Sequence, residues 1–224
     1  MNGSNAMELD DMKAAWAQLN QRLETQETLN FHLLRDGKLD RLRRGLRPLV
    51  WGQAIQIAWG GLIALWGANF WIAHRDVPHL LIAGIAVHLS GISMIVLGAA
   101  IEALIARVDY SAPVLGIQRQ IAQLRTVYVR GGLAVGLPWW LLWVAFLMVA
   151  LKSLAGADLF LNAPGVVWIN LAFGVVGLLA TLAFLRWSRT RPGLGQKLAD
   201  YNAGRSIVRA QSLLAEIARF ERDQ

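Results

Sequence analysis

Few residues of this chain are suited to chemistry, and they are scattered. His74, Asp76 and His79 fall within one short polar turn, and imidazole with carboxylate is a reasonable donor set for zinc or copper. Arg75 sits among them and repels a cation, and their spacing follows no metal-ligand pattern. The expectation is an ordinary polar turn, with no metal and no cofactor. Glu102 is the only acidic residue inside an apolar stretch, a position where a carboxylate can relay a proton or a cation. It lies about one helical turn from Arg107, so it is expected at a membrane interface, paired or solvated, and stands as the possible intramembrane polar site. Asn69, His88, Ser90, Ser93 and Asn170 are too dispersed to form a charged pathway. There is no nucleophile elbow, no phosphate-cradling glycine loop and no His-Glu metalloprotease motif. The chain has no cysteine, which removes thiolate nucleophiles and Cys-based metal sites. No enzyme is expected.

The elements that carry these residues are apolar. Of 224 residues, 55% are hydrophobic and 17% charged, against about 25% charged in a soluble domain. A helix crossing the hydrocarbon layer needs about 20 apolar residues. Four stretches qualify, at about 49–73, 78–105, 131–151 and 164–185, each free of charge apart from Glu102. The predicted fold is all-α: four transmembrane helices in two antiparallel hairpins, with amphipathic cytoplasmic helices at the N-terminus, in the central loop and at the C-terminus. The first six residues are expected to be an expression remnant, with Met7 as the natural start. Residues 7–47 then form an N-terminal helical arm, 48–185 the transmembrane bundle with a loop helix at about 113–129, and 186–224 a C-terminal helix. No secretory signal is expected, because the first 48 residues contain no apolar core segment.

Orientation follows from the basic residues. Twenty of the 22 Lys and Arg lie before the first stretch, in the central loop or in the tail, and only Arg75 and Lys152 lie in the other two loops. That bias places both termini and the central loop in the cytoplasm. Trp51 and Trp187 then fall near the inner interface, and Trp71 and Trp168 near the outer one. Trp139, Trp140 and Trp143, inside the third stretch, are expected to face lipid or supply packing bulk, with substrate stacking as the alternative. Small residues let membrane helices approach. Gly60, Ala64 and Ala68, then Gly84, Gly91 and Gly98, then Gly132 and Gly136, and finally Gly174 and Gly177 are all expected at helix contacts, with a kink at Pro138.

The parts outside the apolar stretches carry amphipathic patterns. Leu9, Met12, Trp16, Leu19 and Leu23 recur at alternating spacings of three and four, the a/d stripe of a coiled coil or docking helix. This helix is expected over 9–36, capped by Asp10 or Asp11 and ended by Gly37, with a net charge of −3 when Glu8 just before it is counted. The next stretch turns basic, with Arg41, Arg43, Arg44 and Arg47 beside an apolar side of Leu39, Leu42 and Leu46. It is expected to lie against the bilayer, its arginines on anionic headgroups. In the central loop Ile117, Ile121, Leu124 and Tyr128 share a face. In the tail Leu198, Tyr201, Val208, Leu213, Ile217 and Phe220 make a broad stripe, and Gly193-Leu194-Gly195 marks a loop. The segment Glu8-Leu9-Asp10-Asp11-x-Lys13-x-x-Trp16-x-x-Leu19-x-x-Arg22-Leu23 resembles a group of small, uncharacterised bacterial four-helix inner-membrane proteins. The resemblance implies a bacterial inner-membrane setting, and for some of that group an association with sigma-factor regulation.

Together these features predict a non-enzymatic inner-membrane protein acting as an assembly or regulatory scaffold. Its partner surface would be Leu9, Met12, Trp16, Leu19 and Leu23, and its partners a second copy or a cytoplasmic protein besides the bilayer itself. A small transporter or channel subunit, functional as an oligomer, is the first alternative, and a membrane-bound regulator of a sigma factor the second. No nucleic-acid partner is expected, because the net charge of +7 is explained by the orientation bias.

Overall fold

The computed structural model describes the backbone of residues 3–109, 112–190 and 204–220; side chains are described for Trp16 and from Leu39 onward, apart from 114, 189, 204, 205 and 217–220. Among the described residues there are seven helices and no strand. They are α1 (Gly3–Ala73), α2 (Pro78–Ala106), α3 (Val114–Gly136), α4 (Trp139–Ala155), α5 (Leu159–Asn162), α6 (Pro164–Arg189) and α7 (Gly204–Phe220). Three of them contain segments long and apolar enough to cross a membrane, at Leu39–Ala73, Pro78–Ala106 and Pro164–Ser188, and α3 with α4 makes a fourth if that bent pair counts as one span.

The first departure from the sequence reading is that α1 does not stop at Gly37 or restart at Pro48. It runs through both, and Gly37 lacks the positive φ of a left-handed cap, which in the described residues occurs only at Gly156. Proline inside a helix forfeits one backbone hydrogen bond and costs about 3 kcal/mol. Burial offsets that cost here. Leu39, Leu42 and Leu46 are packed into a core just before Pro48, with Leu49 against its edge, and such packing routinely overrides local propensity. The basic stretch is therefore no separate helix but part of the same helix as the first apolar stretch.

The second departure concerns the central loop helix and the third stretch. They are not divided at Arg130. Glycines at 131 and 132 weaken a helix but leave its hydrogen bonds intact, so α3 continues to Gly136. The break comes at Pro138, as expected, where α3 and α4 meet at a bend of 51°.

Packing divides the molecule into two cores. At the basic end, Leu39, Leu42 and Leu46 of α1 meet Ile101 and Val108, Ile117, Ile121 and Leu124 of α3, and Ile207, Ala210 and Leu214 of α7. The central-loop stripe is as expected. The tail stripe is not: its buried line is Ile207–Ala210–Leu214, while Val208 and Leu213 are only half-buried. Ala210 is too small to draw notice in a sequence, yet it sets the line at spacings of three and four that a 3.6-residue period requires. Leu198 and Tyr201, the loop 193–195, and the side chains of Ile217 and Phe220 lie outside the described residues. At the opposite end Phe70, Leu80, Ala83, Val87, Val144, Met148, Val149 and Val167 form the second core.

The α1–α2 hairpin is held by backbone approach. A Cβ on Gly91 would stand 2.5 Å from the Ala64 nitrogen and 2.6 Å from the Gly60 oxygen, and one on Gly67 2.5 Å from the His88 nitrogen. Gly174 and Gly177 of α6 play the same part against Trp140 of α4.

Candidate functional site

Three places gather the polar and aromatic groups. The first is the basic end. Arg41, Arg43, Arg44 and Arg47 are all exposed, while Leu39, Leu42 and Leu46 on the same helix are buried. The Arg44 Nε donates to the Asp40 carbonyl at 3.3 Å. Side-chain hydrogen bonds tie α3 to α7: the Gln118 Nε2 donates to the Leu214 carbonyl and the Arg125 Nη1 to the Gln211 Oε1, each at 3.3 Å. The Gln120 Oε1 accepts from the Asp109 amide at 3.1 Å, which holds the end of α2. The apolar faces of α3 and α7 are thus spent on each other and on α1. Beyond this core α1 continues back to Gly3 and carries Trp16 with 64% of its surface exposed. The side chains of Leu9, Met12, Leu19 and Leu23 lie outside the described residues. Glu102 is half-buried near the end of α2, and among the described residues no basic group pairs with it.

The second place is the hairpin end. The His79 Nε2–H donates to the Asp158 Oδ2 at 2.9 Å, and the Asp158 Oδ1 accepts from the amides of Phe160 and Leu161 at 3.1 and 3.2 Å. Asp158 is the N-cap of α5. Burial by itself raises the Asp158 carboxyl; the hydrogen bond from His79, the two amides and the charge of His79 outweigh it and hold the group below its ordinary value. The His79 ring stacks on Phe160 with centroids 4.8 Å apart. The His74 Nδ1–H donates to the Phe70 carbonyl at 2.9 Å, and Asp76 is exposed. The turn's two histidines are therefore engaged with different partners, and among the described residues no group of three His, Cys, Asp or Glu is placed to hold a metal.

The third place is a cleft between α1, α2 and the bent α3–α4 pair. Beside the 51° bend lies a cavity of about 800 Å³, walled by Trp59, Trp66, Trp139 and Phe146. Beside it a chamber of about 300 Å³ is lined by Gln53, Tyr128 and Ile101 among others, and Gln56 and Gly132 border both. The Gln56 Nε2 donates to the Met94 carbonyl at 3.2 Å, and the Ser90 Oγ to the Val87 carbonyl at 2.7 Å. Gln53 is 5% exposed and its Oε1 has no hydrogen-bond partner among the described residues. Trp139 lines this cleft, whereas Trp140 packs on Gly177 and Trp143 against the second core.

Gly132 and Gly136 were expected at a helix contact. They border the cleft instead, and a Cβ on either would meet nothing within 4 Å. The sequence reading passed over Gln53, Gln56 and Asp158. The signal for the first two was present, as carboxamides three residues apart in an otherwise apolar run. Compared with protein-family models, curated proteins and solved structures, the chain finds no match.

Proposed function

We propose that this chain is a bacterial inner-membrane protein that crosses the bilayer four times, with both termini and the central loop in the cytoplasm. It acts without catalysis, as an assembly or regulatory scaffold. The membrane placement is supported by the surface of the long helices: Ile55, Trp59, Leu62 and Leu65 of α1, Leu89 and Val96 of α2, and Phe173, Val176 and Leu179 of α6 are all more than half exposed. An apolar girdle of that extent suits lipid and not water. The orientation is supported by the gathering of the arginines at one end of the bundle.

One observation carries the scaffold reading. The helix that bears Trp16 is continuous with the first apolar stretch, Gly3 to Ala73, and Trp16 is exposed while the other amphipathic helices have buried their apolar faces against one another. At 1.5 Å per residue, the part of α1 before that core reaches roughly 50 Å. The stripe of Leu9, Met12, Trp16, Leu19 and Leu23 on this arm suits a second copy or a cytoplasmic protein, and a sigma factor is one partner of that kind. The exposed Arg41, Arg43, Arg44 and Arg47 supply headgroup contacts where the arm meets the membrane.

The test is crosslinking and size analysis in native membranes. Trp16→Ala is expected to leave the protein inserted and folded while its assembly or partner capture weakens; unchanged assembly removes the support for the arm. The cleft favours a second reading, a small transporter subunit for apolar molecules. Uptake by reconstituted vesicles that survives removal of residues 7–36 would select that reading instead.

A further inference from the structure

Gly132 and Gly136 occupy helical positions where glycine lowers stability relative to alanine, and no close neighbour accounts for them. Gly91 and Gly174 sit where another helix leaves no room, whereas Gly37, Gly45, Gly52, Gly61 and Gly165 are open to added atoms. At Gly132 and Gly136 an added Cβ would meet no atom within 4 Å, and both positions border the 800 Å³ cleft. What sets these two apart from the other open glycines is that the space beside them is the cleft.

The cleft has polarity along its length. Gln53, Gln56 and Tyr128 stand toward the basic end, and Trp66, Trp139 and Phe146 toward the other. None of the residues lining either chamber is Asp, Glu, Lys, Arg or His. Gln53 is 95% buried on the wall of the smaller chamber, and its Oε1 lacks a donor. An unmet acceptor in such a place is costly and calls for an explanation. The terminal torsion of the carboxamide is soft, so a ligand hydroxyl in the chamber can draw that oxygen toward itself.

We propose that the cleft binds one neutral lipid whose head carries a hydroxyl, of the glyceride or long-chain alcohol class. Its hydroxyl donates to the Gln53 carboxamide, and its chain lies between Trp59 and Trp139 against the bare backbone of Gly132 and Gly136. The volume is in the range that encloses a drug-sized ligand. A phosphate head is disfavoured because the walls offer no countercharge for its desolvation. The polarity matches a lipid entering sideways from the inner leaflet, so the proposal rests on the membrane placement above, though not on the role of the N-terminal arm.

The test uses the full-length protein in phosphatidylcholine nanodiscs, titrated with monoolein and read by native mass spectrometry. Oleoyl lysophosphatidylglycerol and hexadecane serve as comparison probes. One monoolein per chain is expected, retained in preference to the charged lipid. Gly132→Leu combined with Gly136→Leu is expected to weaken binding roughly tenfold or more without lowering the melting temperature, because the added atoms fill empty space. Gln53→Leu is expected to weaken monoolein roughly fivefold, the scale of one hydrogen bond, and to leave hexadecane uptake unchanged. Equal retention of the charged lipid, or monoolein binding unaffected by the glycine pair, would mean bulk lipid filling a groove and would overturn the proposal. If the glycine pair fails to insert, Gln53→Leu decides alone, and unaltered monoolein binding by it overturns the proposal. Assembly through Trp16 is read by crosslinking, so the two claims fail separately.

Discussion

His79 and Asp158 are 79 positions apart in the chain, yet the His79 Nε2 and the Asp158 Oδ2 lie 2.9 Å from each other. This contact ties the α1–α2 turn to the connection between α4 and α6, at the end of the molecule opposite Arg41, Arg43, Arg44 and Arg47. Both side chains are largely covered, at 19% and 10% exposed. Asp158→Asn keeps an acceptor for the two capping amides and removes the charge that His79 meets. A loss of about 1.5–3 kcal/mol at neutral pH is expected, the scale of a charge-assisted hydrogen bond, measured by thermal melting in detergent.

The same pair has a pH signature. The Asp158 carboxyl is held below its ordinary 3.8 in the folded protein, so the unfolded chain binds more protons there as pH falls. Its stabilising contribution is present above that ordinary value and is lost as pH drops through the depressed one. The difference in melting temperature between the parent and Asp158→Asn is therefore expected to shrink as pH falls below about 4. A gap that persists at low pH would assign the stabilisation to packing, not charge.

Gly91→Leu and Gly132→Leu are expected to diverge. The first forces a side chain against the Ala64 backbone at 2.5 Å and should cost about 1–3 kcal/mol or more by overpacking. The second enters open space and should be neutral or slightly stabilising, since leucine is the better helix former. Equal melting temperatures for the two variants would contradict the close α1–α2 approach.

Leu42→Ala separates the continuous helix from a segment lying on lipid. Leu42 is 1% exposed among Ile117, Ile121 and Leu214 in the basic-end core, so truncation should cost about 2–5 kcal/mol. A change below about 0.5 kcal/mol is what an exposed or lipid-facing side chain would give. Leu124→Ala, on the facing helix, should match it.

Topology is read with reporter fusions. Those after Val77 and at Gly156 are expected to be periplasmic, and those at Gln118 and Gln224 cytoplasmic. A cytoplasmic signal at Gly156 would mean that the bent α3–α4 pair does not cross as one span.

The apolar stretches, the turn before Pro78, the kink at Pro138 and the face of Ile117, Ile121 and Leu124 were legible in the sequence. Each depends on neighbours within a few positions: a charge-free run, a missing amide, a 3.6-residue period. The gathering of arginines at one end was legible for the same reason, since it needs only counting. What a glycine or a leucine faces is another matter. Gly91 and Gly132 are alike as residues, and only the arrangement of the neighbouring helices makes one a helix contact and the other the wall of a void. Leu42 belongs to a core rather than a membrane surface because α3 and α7 arrive beside it, which sets burial against the cost of Pro48. Ala210, not Val208, lies on the buried line of α7 because the rotation of that helix is chosen by the side chains it meets. The pairing of His79 with Asp158 and the isolation of Gln53 are likewise decided by distances across the bundle, between groups whose spacing along the chain carries no trace of them.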